Sequence, residues 1–443
     1  MKFSITTLGC KVNQYETQAM EQHLTELGHE ICAPDAPVDC CIVNTCTVTA
    51  VADKKNRNII RRLKAQHPDT VLAVCGCYAQ MKPEDIRALD ADVISGSGDR
   101  MQFLDMVLST LADRQQREYL DEPLKRRDFL TLPAGGLSTR TRAMLKVQDG
   151  CNNFCSYCII PYARGPVRSL PLLEAVEQAQ QLAREGYREI VITGIEIASW
   201  GWDFKDGSRL VQLLDAVCAA VPDTRIRLGS LEPRVIDAAF CEIMAKHRNL
   251  CPHFHLSMQS GSDTVLQRMH RRYDTKRYFE SVQLLKEAFP GCAVTTDMIV
   301  AFPGETDEEF AESLAFIQKC GFADMHIFPY SRRPGTPADK LPGQRSNAVK
   351  EQRSKAAIEV AAQMNRAFCE AMVGTVQEVL FEEMAGDFCT GHAPNSIRVY
   401  LPGENRHNQV LPVRVTGLYE DGVLAEQMNA ESVKSWTVDN TLH

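Results

Sequence analysis

The sequence predicts an α/β protein of three units in series: an open parallel sheet, a partial β/α barrel and a small β-barrel. Three observations predict it. Short apolar runs alternate with helical stretches over residues 1 to 113, and six more strand-helix repeats follow between 143 and 330. Beyond Gly374, short strand-like runs are broken by Gly, Pro and Asn. A chain of 443 residues is long enough to bury a separate core in each unit.

Composition narrows the class. The 49 Lys and Arg against 57 Asp and Glu give a net charge of −8, which argues against indiscriminate nucleic-acid binding but allows local basic patches. No run approaches the ~18 apolar residues of a membrane span. Met1 to Thr6 leads into a strand pattern where a signal peptide would need an apolar stretch, so a cytoplasmic protein with no membrane partner is expected. Seventeen cysteines in a reducing compartment point to metal ligation ahead of disulfides.

In the first unit, Lys2 to Leu8 reads as a strand and Val12 to Leu27 as an amphipathic helix stopped by Gly28. Strands follow at Cys41 to Asn44, Thr70 to Cys75 and Asp92 to Ser95, with helices from Val51 to Gln66 and after Pro83. This is a flavodoxin-like parallel sheet, which binds ligands outside the carboxyl ends of its strands. Cys10, Cys46 and Cys77 stand at those ends, one thiol per strand, as the ligands of a cluster would. Cys75 shares a strand face with Cys77, but the Gly76-Cys77 turn carries Cys77 farther out. Cys32, Cys40, Cys41, Cys218, Cys241, Cys251, Cys292, Cys320, Cys369 and Cys389 are read as small buried hydrophobes. The helix from 51 to 66 carries Lys54, Lys55, Arg57, Arg61, Arg62 and Lys64, while Ile59, Ile60 and Leu63 can face the sheet. That basic face is either a solvated surface or a phosphate-binding one.

Residues 114 to 140 are polar, lack periodicity and read as a linker. Strands are then expected at 143 to 148, 189 to 195, 225 to 231, 253 to 259, 293 to 301 and 324 to 330. Helices are expected near 171 to 185, 208 to 220, 235 to 247, 274 to 288 and 306 to 319. Six such repeats make a partial (β/α)6 barrel, and its C-terminal mouth is where such barrels keep active sites. The first strand runs straight into Gly150 to Cys158, where Cys151, Cys155 and Cys158 are spaced C-x3-C-x2-C. Three thiolates hold three irons of a cubane and leave the fourth open to a chelating amine and carboxylate. A zinc knuckle would need a fourth Cys or His nearby, and residues 159 to 175 contain none. On the fourth strand, His253, His255, Ser257 and Gln259 share one face, and Phe254, Leu256 and Met258 the other. A polar inner face predicts a cavity for a polar ligand, or else histidines hydrogen-bonded within the barrel.

The last unit begins with a helix from about Asn347 to Met372. Strands at Thr375 to Glu382, Ser396 to Tyr400 and Val410 to Thr416 then suggest a small β-barrel. Composition alone fits a plain interaction module as well as an RNA binder.

The three-cysteine loop, with Tyr157 before its last cysteine, resembles the radical S-adenosylmethionine (SAM) superfamily. Nearly the whole chain resembles the radical SAM methylthiotransferase family. The matching motifs are Thr7-Leu8-Gly9-Cys10-Lys11-Val12-Asn13, Asn44-Thr45-Cys46 and Gly76-Cys77-Tyr78-Ala79-Gln80, then Ile160-Pro161-Tyr162-Ala163-Arg164-Gly165 and Arg168-Ser169. Further on they are His255-Leu256, Gln259-Ser260-Gly261-Ser262, Phe302-Pro303-Gly304-Glu305-Thr306 and Arg333-Pro334-Gly335-Thr336-Pro337-Ala338. The resemblance implies that Cys10, Cys46 and Cys77, not Cys75, hold an auxiliary [4Fe-4S] cluster, and that Cys151, Cys155 and Cys158 hold the SAM-binding [4Fe-4S] cluster. Many radical SAM enzymes have Gly-Gly-Glu after the second strand; here Gly194-Ile195-Glu196 stands there, so Glu196 is a candidate partner for the SAM amino group. Tyr157, Gly194, Ser230 and Gln259 are further SAM-contact candidates, and Glu232 is a candidate by position. Gly391 to Val399 resembles the family's RNA-binding TRAM domain. Arg398 therefore joins Lys54, Lys55, Arg57, Arg61 and Arg62 as RNA-binding candidates. The implied layout is an auxiliary-cluster domain over 1–113, a linker over 114–140, a radical SAM partial barrel over 141–345, a connecting helix over 346–373 and a TRAM-like barrel over 374–443.

Gly9-Cys10-Lys11-Val12-Asn13-Gln14-Tyr15-Glu16 is most similar to the branch acting on N6-threonylcarbamoyladenosine (t6A) beside the tRNA anticodon. The isopentenyladenosine branch tends to other residues at Lys11 and Val12, and the ribosomal-protein branch to Pro-Lys after the cysteine. The resemblance implies insertion of a methylthio group at C2 of the adenine, with no catalytic side chain, because the cofactors carry the chemistry. One SAM would methylate a sulfur at the auxiliary cluster and a second would be cleaved reductively. The implied partners are the tRNA anticodon stem-loop and a low-potential electron donor such as flavodoxin or ferredoxin. The alternatives are methylthiolation of isopentenyladenosine or of a ribosomal protein, a cobalamin-dependent radical SAM methylase, and an iron-sulfur RNA-binding sensor. The cobalamin reading wants a D-x-H-x-x-G that residues 1 to 113 lack.

Overall fold

The computed structural model describes residues 1–34, 36–133 and 141–428. The Gly135-Gly136 end of the expected linker and residues 429–443 of the last unit lie outside the described residues.

The N-terminal unit is a parallel sheet of six strands: β1 (Lys2–Thr7), β2 (Glu30–Ile31), β3 (Cys40–Thr45), β4 (Val71–Gly76), β5 (Val93–Ser95) and β6 (Arg117–Tyr119), in the order β2-β1-β3-β4-β5-β6. Helices cover both faces, so the central strands are apolar on both. Helices α1 (Lys11–Glu26) and, later in the chain, α5 (Arg100–Asp113) share a core with Cys40, Ile42, Ala73 and Cys75. On the other face α2 (Ala50–Gln66), α3 (Cys77–Met81) and α4 (Pro83–Arg87) pack on Cys41, Val43, Leu72 and Val74. Strand alternation thus sends Cys75 into a core, fully buried, while Cys77 begins the next helix. Strand β6 lies inside the stretch read as linker. It is a short, charged edge strand, and an edge with one neighbour leaves no hydrophobic alternation to read.

The barrel is formed by β7 (Arg142–Lys146), β10 (Glu189–Thr193), β11 (Arg225–Leu228), β12 (His253–His255), β13 (Ala293–Val300) and β14 (Asp324–Pro329). The ladders β11-β10-β7 and β12-β13-β14 are joined by parallel bridges Ile226 to Leu250 and Leu231 to Leu256. Between β7 and β10 a small antiparallel pair, β8 (Gln148–Asp149) and β9 (Arg168–Ser169), brackets the three-cysteine loop. Helices Leu172–Arg184, Leu210–Ala220, Ala238–Met244, Thr275–Ala288 and Asp307–Cys320 follow the strands, close to the expected spans.

Helix Asn347–Met372 buries Ala357 and Ala361 on the barrel core and Cys369 in the core of the last unit, so it staples the two together. The last unit is a closed barrel, β15 (Val376–Ala385), β16 (Phe388–His392), β17 (Arg398–Pro402), β18 (Val410–Tyr419) and β19 (Gly422–Gln427), in the order β15-β16-β17-β19-β18. Strands β16 and β19 are additional to those expected. Nine of the ten cysteines expected in cores are buried; Cys32 is half-buried, its Sγ 3.6 Å from Glu30 Oε1.

Candidate functional site

Strands β1, β3 and β4 are neighbours, and their ends are in register: Thr7 pairs with Asn44 and Thr45 with Gly76. Cys10, Cys46 and Cys77 therefore emerge from three adjacent strand ends. Two glycines let the turns close. Gly9 has φ +103°, and a Cβ there would lie 2.5 Å from Cys46 Cβ. Gly76 has φ +104°, and its Cβ would lie 2.4 Å from the Thr45 carbonyl. Asn13 ties the turns together, donating to the carbonyls of Leu8 (2.7 Å) and Thr45 (3.0 Å). Asn56 donates to the Cys46 carbonyl at 2.5 Å. Cys10 is open to solvent and the other two are buried. Burial pushes the Cys46 thiol up to about 12, with Cys77 adding to the effect. Ligation there must displace a proton.

The second thiol group lies on the loop after β8. Cys155 is buried and Cys151 and Cys158 are half-buried. The loop is fixed from outside itself: the Cys151 N–H donates to the Gly165 carbonyl, the Ser156 N–H to that of Met269 (both 3.0 Å), and Ser156 Oγ to that of Arg268 at 2.7 Å. Arg271 Nη1 donates to Cys155 Sγ at 3.2 Å. Burial pushes Cys158 up to about 12, with Cys155 adding.

Gln148 connects this loop to the end of β10, accepting from the Glu196 N–H at 2.8 Å and donating to the Gly150 carbonyl at 2.7 Å. Glu196 Oε2 accepts from Asn153 Nδ2 at 3.3 Å. Burial pushes the Glu196 carboxyl up to about 7, and Glu232 adds to this against the pull of Arg271. A Cβ on Gly194 would be 2.8 Å from the Gln148 carbonyl, so the backbone approaches closely there. Of the other SAM-contact candidates, Tyr157 packs edge-on to Phe302 and Gln259 sits at φ +70° beside β13. Ser230 opens instead into the cavity lined by His253 and His255. Glu232 is buried against Arg234 at 2.9 Å.

Helix α6 (Ile160–Arg164) joins the two groups, starting two residues after Cys158 and ending on a fully buried Arg164. Its Nε donates to Cys77 Sγ (3.3 Å), Nη2 to Asn13 Oδ1 (2.8 Å) and Nη1 to Glu16 Oε1 (2.6 Å). Glu16 also pairs with Arg100 at 2.8 Å and Lys146 at 3.6 Å. Burial would raise the Glu16 carboxyl, but Arg100, Arg164 and Lys146 hold it down at about 2. Asp149 pairs with Lys146 at 2.6 Å, Arg164 at 3.3 Å and Arg168 at 3.6 Å. Four buried cations thus face two buried carboxylates between the thiol groups, leaving surplus positive charge that an anionic iron-thiolate centre would balance. In the sequence Arg164 and Glu16 stand only inside motifs, and Arg271 and Gln148 give no signal of a role, because their partners are distant in the chain.

Among the described residues, no three His, Cys, Asp or Glu side chains close on a point as ligands of one metal ion do. A cubane sets its thiolates on three different irons, farther apart than a single ion would. The soft all-thiol donor sets, the side-chain-free turns and the surplus positive charge fit [4Fe-4S] centres.

The basic candidates divide. Lys54, Lys55 and Arg62 line a shallow depression on the outer face of α2, and Arg61 is exposed. Arg57 instead donates to Tyr78 Oη at 2.7 Å and pairs with Asp85 at 3.5 Å. Arg398 stacks on Tyr400 and pairs with Asp421 at 3.2 Å.

Residues 145–317 match the Radical SAM superfamily, and residues 2–96 match Uncharacterized protein family UPF0004. The threonylcarbamoyladenosine tRNA methylthiotransferase MtaB of Bacillus subtilis (strain 168) is 40% identical over 92% of this chain and 92% of its own length. That of Thermotoga maritima is 35% identical over 95% and 96%. The tRNA-2-methylthio-N(6)-dimethylallyladenosine synthase of Pelotomaculum thermopropionicum is 31% identical over 94% and 95%. In fold, the chain is similar to the radical SAM methyltransferase TsrM of Kitasatospora setae, with a TM-score of 0.56 and 15% identity over 87% of this chain and 79% of that one.

Proposed function

Because the chain belongs to the radical SAM methylthiotransferase family, we propose that it inserts a methylthio group at C2 of N6-threonylcarbamoyladenosine in tRNA. One observation carries the substrate. Relatives named for threonylcarbamoyladenosine are 34% to 40% identical over at least 84% of the chain, while those named for dimethylallyladenosine are 30% to 33% identical. The cofactors are SAM and two [4Fe-4S] clusters.

Cys10, Cys46 and Cys77 hold the auxiliary cluster, and Cys151, Cys155 and Cys158 the SAM-binding one. When bound, the clusters and SAM supply the electron, the radical and the sulfur that an unactivated aromatic C–H bond requires. The protein's part is positioning. Arg271 fixes Cys155 and screens its charge. Glu196, held by Asn153, offers a carboxylate to the SAM amino group, and the close approach at Gly194 brings backbone toward it. Arg164 docks the two units so that the thiol groups keep one geometry. Lys54, Lys55, Arg61 and Arg62 of α2 track the anticodon stem-loop by its phosphates, and the target base is splayed out of the loop. Flavodoxin or ferredoxin delivers the electron, in the cytoplasm where tRNA is processed; among the described residues no helix is long and apolar enough to cross a membrane.

Expression in a bacterium lacking its own enzyme of this kind tests the reading. Digested tRNA should show threonylcarbamoyladenosine heavier by one methylthio group in place of hydrogen, and an unchanged nucleoside profile overturns the assignment.

A further inference from the structure

A cavity of about 680 Å³ opens where the three units meet, a volume suited to a nucleoside with a long substituent. The N-terminal unit contributes Lys11, the barrel His253, His255 and Asp297, and the last unit Glu382 and Arg398. Lys11 directly follows Cys10 in the chain, which puts this lining residue next in sequence to the auxiliary thiol group.

Most of the charged groups around it have a partner. Asp297 is 3.3 Å from His255 Nε2. Glu382 pairs with Arg142 at 2.6 Å and His392 at 2.5 Å. Arg398 pairs with Asp421 at 3.2 Å and reaches Glu383 at 4.0 Å, both at the rim. Asp324 accepts from the Met325 N–H at 2.8 Å. Behind the wall Arg227 and Glu189 form a two-pronged pair at 2.6 and 2.9 Å. Of these cations, the Lys11 ammonium alone makes no side-chain hydrogen bond or ion pair among the described residues, with Glu189 acting on it only from a distance. His253 adds a second open position: its Nε2 is 3.2 Å from Thr295 Oγ1, but its buried Nδ1 has no partner.

We propose that this cavity receives the threonyl arm of the modified adenosine and that Lys11 binds its carboxylate. The inference rests on the substrate reading above and assigns the residue that selects it. Adenosine carrying a hydrocarbon arm has no anion to offer the Lys11 ammonium, and would cover it without adding a counter-charge. A site built around a charged partner discriminates far more steeply than an apolar pocket does. The adjacency of Lys11 to Cys10 in the chain also suits a reaction that draws on the auxiliary thiol group.

The test measures binding of the reconstituted protein to three anticodon stem-loop RNAs: one with threonylcarbamoyladenosine, one with its neutral methylamide, and one with plain adenosine. Wild type should prefer the acid to the amide by roughly tenfold to a hundredfold, the worth of one charge-assisted contact. Lys11→Met should bind acid and amide equally, at the wild-type level for the amide, with unchanged iron content; Lys11→Arg should restore part of the preference. Equal binding of acid and amide by wild type overturns the proposal whatever the variants do. So does a full preference kept by Lys11→Met. If wild type prefers neither modified RNA over plain adenosine, the substrate reading falls with the proposal; a preference for both modified RNAs alike overturns the proposal alone.

Discussion

Replacing Arg164 by Met removes three of the bonds that tie the barrel to the N-terminal unit near the thiol groups. The side chain is fully buried, and its bonds to Glu16 (2.6 Å), Asn13 (2.8 Å) and Cys77 (3.3 Å) all cross between the units. Breaking an isolated buried ion pair costs about 3–5 kcal/mol, because the surviving charge is stranded. Here Glu16 keeps Arg100 and Lys146, and Asp149 keeps Lys146 and Arg168, so neither carboxylate is stranded. The main effect is removal of one charge-assisted bond to Glu16 and one to Asn13, each worth roughly 1.5–3 kcal/mol. Met also refills part of the volume, so a net destabilisation of about 3 kcal/mol is expected. The assay is anaerobic urea unfolding of the reconstituted protein, followed by circular dichroism and by cluster absorbance. The variant's midpoint should fall by that energy divided by the measured urea slope. Arg164→Lys keeps the charge but not the planar fork and should lie between. A Met variant within about 0.5 kcal/mol of wild type would refute the reasoning, that being the range of ordinary surface substitutions.

Three further outcomes follow from the geometry. Cys151→Ala should abolish SAM cleavage, whereas Cys46→Ala should keep some uncoupled cleavage and lose methylthiolation; product formed by either variant contradicts the cluster assignments. Lys54→Ala with Lys55→Ala should weaken tRNA binding and flatten its salt dependence by roughly one unit of log-log slope for each phosphate no longer neutralised; an unchanged slope leaves α2 a merely solvated face. Burial would raise Glu309, but Arg268, Thr264 and the Thr306 N–H hold it at about 2, below its ordinary 4.5. Its stabilising effect is therefore full above pH 4.5 and fades as pH falls toward 2. Glu309→Gln should lower stability at neutral pH and show a shallower decline over that acid range, as read by urea unfolding at stepped pH.

Much of this was legible because it is local. Helix Asn347–Met372 matches its expected span, and Phe254, Leu256 and Met258 are fully buried while His253 and His255 line a cavity, as period two requires. Three strands each ending in a cysteine can be read singly, and their adjacency in the sheet brings those ends together. What stays hidden in the sequence depends on distance along the chain. Arg164 meets Glu16 across 148 residues, and Arg271 meets Cys155 across 116. Strand β6 has three residues at an edge, too short and too charged for a pattern. Arg57 falls among the basic surface candidates of α2 because side-chain pairing with Tyr78 and Asp85 leaves no trace in spacing.

Anaerobic reconstitution with SAM, reductant and tRNA bearing threonylcarbamoyladenosine, followed by masses of the digested nucleosides, bears on the substrate and the chemistry together. A methylthio gain on that nucleoside together with 5′-deoxyadenosine is the expected result. Release of 5′-deoxyadenosine with the nucleoside unchanged would contradict the assignment, leaving radical SAM chemistry but a different substrate.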